Sequence, residues 1–228
     1  AAFSPGRNLE QFRTSVCYSN LHVIMVGGHA GISVGEDGAT HQPLEDIAIT
    51  RALPNGTVVV PCDYEEMYKA TIAVSKLKGP VYLRSGRPKV PQVTDKNSKF
   101  KIGKANILRE GKDITIIACG IMVSEALKAA EQLDIDAEVI NCHTIKPIDK
   151  DTIIKSAKKT GKVITAEEHQ ITGGLGSAVA EVLAENCPVK MRRVGIQDKF
   201  GESGSVEELM KKYKITSKDI VKTVKEII

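Results

Sequence analysis

The sequence contains no tryptophan, only four phenylalanines and five tyrosines in 228 residues. A chain this poor in aromatics must fill its interior with Val, Ile, Leu and Ala, and its length suffices for one large domain or two modest ones. Long apolar runs are also missing. The longest are of strand length, far short of the ~20 residues that cross a bilayer, so no membrane partner is expected. Residues 1–20 carry charge from Arg7 onward without a continuous apolar region, and no export signal is expected there. Nor is there a surplus of one charge. Residues 1–100 hold 11 Lys/Arg against 9 Asp/Glu, and residues 101–228 hold 21 against 19, giving a net +4 spread over both halves. That balance argues against a nucleic-acid-binding face. Five cysteines, Cys17, Cys62, Cys119, Cys142 and Cys187, are odd in number and widely spaced, with no C-x-x-C pair and no compact Cys/His cluster. A disulfide framework and a zinc site are both excluded as expectations, and buried thiols in a reducing compartment are expected instead.

What is present is an alternation of short β-rich runs and helical patterns. Strands are predicted at His22–Val26, Thr57–Val60 and Pro80–Leu83. A helical pattern covers Pro43–Arg51, and a second helix runs from an Asp63 cap to about Leu77, with Glu66 completing a capping box. Periodicity stops over Gly86–Gly103, a polar stretch with two prolines that reads as an interdomain connection. It then resumes, with strands at Ala105–Leu108 (an edge), Ile114–Ala118 (central), Ala137–Asn141, Val163–Ala166 and Val189–Val194. Helices follow to Leu133, over Ile148–Lys158 and Gly174–Glu185, from Ser205 to Lys211, and in the tail from Ser217. Strand–helix–strand spacing of this kind predicts crossover units and mostly parallel sheets. The expected architecture is α/β, two three-layer α/β/α domains, with residues 1–87 and 105–228 joined by a linker at 88–104. The opening Ala1-Ala2-Phe3-Ser4-Pro5 reads as the middle of a larger structural unit.

The densest chemical signal follows the first strand: His29-Ala30-Gly31-Ile32-Ser33-Val34-Gly35-Glu36-Asp37-Gly38-Ala39-Thr40-His41-Gln42-Pro43. In open α/β sheets, ligands sit at the carboxyl ends of strands. The glycines permit tight turns and close backbone approach, and two imidazoles with a carboxylate can hold hydroxyl and carbonyl oxygens or exchange a proton near neutrality. The residues alone say a polar ligand site in a glycine-rich loop. Hydrogen bonding within the loop, and metal ligation by His29 and His41 without evident further ligands, are the other readings. Glu167-Glu168-His169…Gly173-Gly174-Leu175-Gly176 joins a strand to a helix, but it lacks G-x-G-x-x-G and a Walker lysine, so a structural or interface role is expected.

The segment Gly35-Glu36-Asp37-Gly38-Ala39-Thr40-His41-Gln42-Pro43, preceded by His29, resembles the signature of the transketolase pyrimidine-binding domain. The likeness continues through Leu53-Pro54-Asn55, Val60-Pro61-Cys62-Asp63 and Gly79-Pro80-Val81-Tyr82-Leu83-Arg84, and the second half is similar to that family's C-terminal domain. Deoxyxylulose-phosphate synthases share Asp-Gly-Ala-Thr-His, whereas Gly35-Glu36 and Gln42-Pro43 favour transketolase.

The resemblance implies a two-carbon ketol transfer between sugar phosphates, with thiamine diphosphate and Mg²⁺ (or Ca²⁺) held mainly by a part outside this sequence. It implies that His41 lies near the reacting oxygens, that His29 and Asp37 contact substrate hydroxyls, and that Phe3 stacks on the aminopyrimidine. Arg87 or Arg84 would grip the substrate phosphate. The family's glutamate for the pyrimidine ring and its Gly-Asp-Gly…Asn metal motif have no counterpart here. The implied partner is therefore an N-terminal transketolase segment or subunit, in a homodimer or heterotetramer, in the cytoplasm. A deoxyxylulose-phosphate synthase-like enzyme and a non-catalytic assembly module remain the alternatives.

Overall fold

The computed structural model describes residues 1–228. Helix α1 (Leu9–Gln11) runs on as a π-helical segment, Phe12–Tyr18, ahead of strand β1 (Ile24–Gly27). The glycine-rich loop winds into two 3₁₀ segments, Ile32–Asp37 and Ala39–His41, before α2 (Asp46–Arg51). Strand β2 (Thr57–Val59), helix α3 (Tyr64–Val74) and strand β3 (Val81–Arg84) follow. The second half comprises β4 (Asn106–Arg109), β5 (Ile114–Ala118), α4 (Met122–Glu131), β6 (Ala137–Asn141), β7 (Thr144–Lys146) and α5 (Lys150–Thr160). It is completed by β8 (Lys162–Gln170), α6 (Leu175–Asn186), β9 (Lys190–Ile196), α7 (Val206–Lys212) and α8 (Ser217–Lys225).

These elements build two mixed α/β units with central sheets and flanking helices. The second sheet has the order β4-β6-β5-β8-β9, parallel except for β4, which pairs antiparallel with β6 at the edge. Its central strand, β5, is buried throughout and reads Ile-Thr-Ile-Ile-Ala, as a parallel strand covered on both faces requires. The first sheet has the order β1-β3-β2-β7, and its fourth strand comes from the second half of the chain. Strand β7 pairs antiparallel with β2, Val58 opposite Lys146 and Val59 opposite Thr144. Sequence periodicity does not reveal this strand, because three residues are too few to show alternation.

One core runs through both sheets. Val58, Tyr82 and Met25 of the first sheet belong to the same buried cluster as Ile117 and Ile140 of the second and Leu175 of α6. Four cysteines, Cys17, Cys62, Cys119 and Cys142, are buried free thiols, and Cys187 is half-buried. Burial pushes the Cys142 thiol up to about 12. No helix is long and apolar enough to cross a membrane.

Several polar groups expected to act locally reach across the two halves instead. Asp63 caps α3 by accepting from the Glu66 N–H at 2.9 Å, but the Glu66 carboxylate does not close the box. It accepts from the Cys62 N–H at 2.8 Å and from Asn141 Nδ2 at 2.8 Å, on β6. The segment between β3 and β4 contains no helix or strand, yet it is docked. The Asp63 carboxylate accepts from the Val93 and Thr94 N–H groups at 2.8 and 2.6 Å, and Phe100 stacks on the His143 ring at 4.3 Å.

Candidate active site

The loop after β1 takes its shape from backbone that few side chains tolerate. Gly31 has φ +85°, and a Cβ there would run into the Glu168 carboxyl group. Gly38 has φ +77°, and a Cβ would lie 2.6 Å from Ser203 Oγ. His29 also has positive φ, 58°, a left-handed conformation uncommon outside glycine and typical of sites where function holds the backbone. Gln42 ties the loop together: its Nε2 donates to the carbonyls of Ile32, Gly35 and Glu202, the last on the second half of the chain.

On this frame His29, Asp37 and His41 are all exposed. They stand on an open face and not inside a closed cavity. His41 meets Phe3 edge-to-face, with ring centroids 5.1 Å apart and planes at 83°, and its Nδ1 lies 2.9 Å from Thr40 Oγ1. Phe3 is 46% exposed, and the Arg7 guanidinium covers its ring at 4.3 Å. Asp37 pairs with Arg87 at 3.3 Å, and the same Arg87 Nη1 donates to the Val34 carbonyl at 2.6 Å. The structure thus brings together Phe3 with His41 and Asp37 with Arg87.

Arg84 lies elsewhere. Its guanidinium is buried, with Nε 2.7 Å and Nη2 3.2 Å from the Asp46 carboxylate on α2, and Nη2 also donates to the Glu168 carbonyl at 3.0 Å. Tyr82 donates a third hydrogen bond to Asp46, at 2.6 Å. Burial alone would raise the Asp46 pKa, but the Arg84 charge and these hydrogen bonds outweigh it and hold the carboxyl below its ordinary value. Of the two arginines, Arg87 is the one disposed at the loop.

Glu167-Glu168-His169 is not a loop: β8 continues through it, and all three side chains are buried. Glu167 receives the N–H groups of Leu175 and Gly176 at 2.7 and 2.8 Å, holding the start of α6. Glu168 accepts from the Ser33 N–H at 2.5 Å, and His169 Nε2 accepts from the Ala48 N–H at 3.3 Å. Burial raises the pKa of both glutamates, against the opposing pull of His169 on Glu167 and of Arg84 on Glu168. These residues support the glycine-rich loop from beneath. Adjacent carboxylates in the sequence were the only hint, and they gave no indication of where they would be buried.

For an aminopyrimidine ring the fit is favourable on one side: an exposed aromatic ring stands next to an imidazole. For a metal ion it is not, since no group of three His, Cys, Asp or Glu side chains is placed to hold one.

The transketolase pyrimidine-binding domain model matches residues 1–92, and the transketolase C-terminal domain model matches residues 103–220. The chain belongs to the transketolase family. It is 46% identical to the 6-deoxy-6-sulfo-D-fructose transketolase subunit of Clostridium sp. (strain MSTE9), over 99% of this chain and 71% of that protein. It is also 46% identical to a putative transketolase C-terminal section of Methanocaldococcus jannaschii, over 98% of this chain and 72% of that one. A solved structure described as a split gene transketolase, inactive beta4 tetramer, superposes with a TM-score of 0.93 at 44% identity, covering 99% of this chain and 73% of the other. The transketolase-family fold of this chain therefore extends across both halves.

Proposed function

We propose that this chain is the pyrimidine-domain and C-terminal section of a split transketolase, without catalytic activity by itself and competent for ketol transfer once a pyrophosphate-binding part is joined to it. Of the readings left open by the sequence, a non-catalytic assembly module takes precedence for the isolated chain. The support is the relative at 44% identity whose description is an inactive β4 tetramer, and the two 46% relatives described as a subunit and as a C-terminal section. The observation that carries the reading is the open face itself: Phe3 and His41 in edge contact beside the Asp37–Arg87 pair, exposed where a second polypeptide can close over them.

In the assembled enzyme, Phe3 would hold the aminopyrimidine of thiamine diphosphate, with Mg²⁺ (or Ca²⁺) on the partner. When bound, the cofactor supplies a carbanion nucleophile for a ketose carbonyl. His41 then donates a hydrogen bond or a proton to the carbonyl oxygen as negative charge develops on it. His29 and Asp37 hold the substrate hydroxyls, and a diastereomer that leaves one of these groups unpaired loses about 1–3 kcal/mol. Arg87 grips the phosphate through its fork of donors. Sugar phosphates as substrates fit a cytoplasmic enzyme.

The test is to mix the chain with a pyrophosphate-domain partner, thiamine diphosphate and Mg²⁺, and to assay a ketose phosphate donor with an aldose phosphate acceptor. Activity should appear only in the mixture. His41→Ala should lower kcat by about 10²-fold or more while cofactor affinity stays within about threefold; an unchanged kcat would remove His41 from the chemistry. Similarity to 1-deoxy-D-xylulose-5-phosphate synthase of Heliobacterium modesticaldum, 36% identical over 35% of that protein, supplies the second reading. Preference for pyruvate as donor would establish it in place of the first.

A further inference from the structure

A cavity of about 450 Å³ is lined by none of Phe3, His29, Asp37, His41 or Arg87. It lies where the two halves meet, between the residues that follow β2, β3 and β5, and its wall includes Ser33, Arg84, Lys89, Gly120, Ile121 and Glu168. In the second sheet, β5 leads through α4 to β6 on one side, and its neighbour β8 leads through α6 to β9 on the other. Connections that depart in opposite directions from adjacent strands open a crevice at their carboxyl ends, the place where α/β sheets bind ligands. Gly120 and Ile121 after β5, and Glu168 toward the end of β8, bring this crevice into the cavity wall.

The hydrogen-bonding inventory of that wall is unbalanced. Helix α4, ten residues long, has no side-chain cap, and the Ile121 N–H at its start has no partner. Ser33 is 1% exposed, and its Oγ has no hydrogen-bond partner at normal distance, although it lies near enough to the Glu168 carboxylate to favour that group's charged form. Lys89 adds positive charge, whereas the Arg84 charge is already met by Asp46. Asp63 also borders the cavity, but its two carboxylate oxygens are filled by the Glu66, Val93 and Thr94 N–H groups and by Thr94 Oγ1. Glu168 Oε1 accepts from Ser33 N–H, which leaves Oε2 as an open acceptor. Free donors and positive charge at a helix N-terminus suit an oxyanion. An unsatisfied buried hydroxyl and an open carboxylate oxygen suit ligand hydroxyl groups. The volume lies within the range of small-molecule sites.

We propose that this cavity is a second ligand site, for a phosphate ester carrying free hydroxyl groups. The phosphate lies against the start of α4 beside Lys89, and hydroxyls engage Ser33 Oγ and Glu168 Oε2. The site is lined by residues of this chain, so it is testable on the chain as it is.

Isothermal titration calorimetry of the full chain with ribose 5-phosphate, inorganic phosphate and unphosphorylated ribose decides the matter. Ribose 5-phosphate should bind at least tenfold more tightly than inorganic phosphate, and ribose should give no heat. Ser33→Val, which removes the hydroxyl and fills the space, and Lys89→Glu, which reverses an exposed charge, should each weaken the ester at least tenfold. Lys218→Glu, an equal charge reversal on α8 at a residue that does not line the cavity, should leave its affinity unchanged. Should Ser33→Val fail to fold by circular dichroism, Lys89→Glu carries the test alone. No binding by the wild-type chain, or loss with Lys218→Glu and not with Lys89→Glu, overturns the proposal. Equal affinity for inorganic phosphate and the ester overturns the hydroxyl assignment.

Discussion

Two residues separate Arg84 from Arg87, and strand β3 ends at the first of the two arginines. Arg84 is still in the sheet, so its side chain enters the interior, where a bidentate carboxylate must neutralise it. Arg87 has left the sheet, and its guanidinium lies at the surface against Val34, Glu36 and Asp37. A sequence offers both arginines to a phosphate equally; only the end of the strand separates them. Arg87→Ala in the assembled enzyme should raise KM for a phosphorylated donor about tenfold or more and alter kcat far less, because a phosphate grip acts alike on ground and transition states. Steady-state kinetics with a donor and its dephosphorylated counterpart check this: the dephosphorylated donor should be insensitive to the substitution. Phe3 and His41 are 38 positions apart in sequence, and composition carries no trace of their edge contact. Their expected roles rest on the family motif, and the backbone strain at His29 is visible only in three dimensions.

At the scale of elements, α2 is short, and its place depends on Asp46. Its carboxylate ties the start of the helix to β3 through Arg84 and Tyr82, and Arg84 extends the tie to β8 through the Glu168 carbonyl. Asp46→Asn leaves a buried guanidinium without its counter-ion and should destabilise the fold by about 3–5 kcal/mol. The double change Asp46→Asn with Arg84→Met should recover much of that loss. Urea denaturation of the wild type and the two variants reads both effects, and a double variant no more stable than the single one would refute the ion-pair account. Regular elements with strong periodicity were legible in the sequence: Ile114–Ala118 and Ala137–Asn141 are strands at the residues expected from pattern alone, and Ser205 with Glu208 forms the full capping box. The expected box at Asp63 and Glu66 is half present for a physical reason. Glu66 is buried against β6, and its carboxylate binds Asn141 and the Cys62 N–H, where the sequence-local rule assumes a solvent-exposed helix start. The extension of β8 through Glu167-Glu168-His169 was hidden because three polar residues read as a loop, whereas partners from three other segments satisfy them.

At the scale of the whole molecule, the two halves are held by shared core and by polar groups whose protonation is linked to folding. His143 is fully buried between the halves under Phe100, and burial depresses its pKa to about 4, below the ordinary imidazole value. The unfolded chain therefore takes up a proton near pH 6.5, which the folded chain resists until about pH 4. The contribution is complete above the ordinary value and declines as pH falls through that interval, by about 3 kcal/mol. His143→Gln should remove this component. Unfolding free energies measured from pH 7 to pH 4 should fall less steeply for the variant than for the wild type, and parallel profiles would contradict it.

Strand β7 carries a consequence for anyone recombining these proteins. A chimera cut in the polar stretch after β3 would separate the first sheet from the strand that covers β2, and β2 would present bare N–H and C=O groups to solvent, an invitation to intermolecular pairing. A transplanted pyrimidine-binding unit must take Thr144–Lys146 along with it, or bring a substitute for that border.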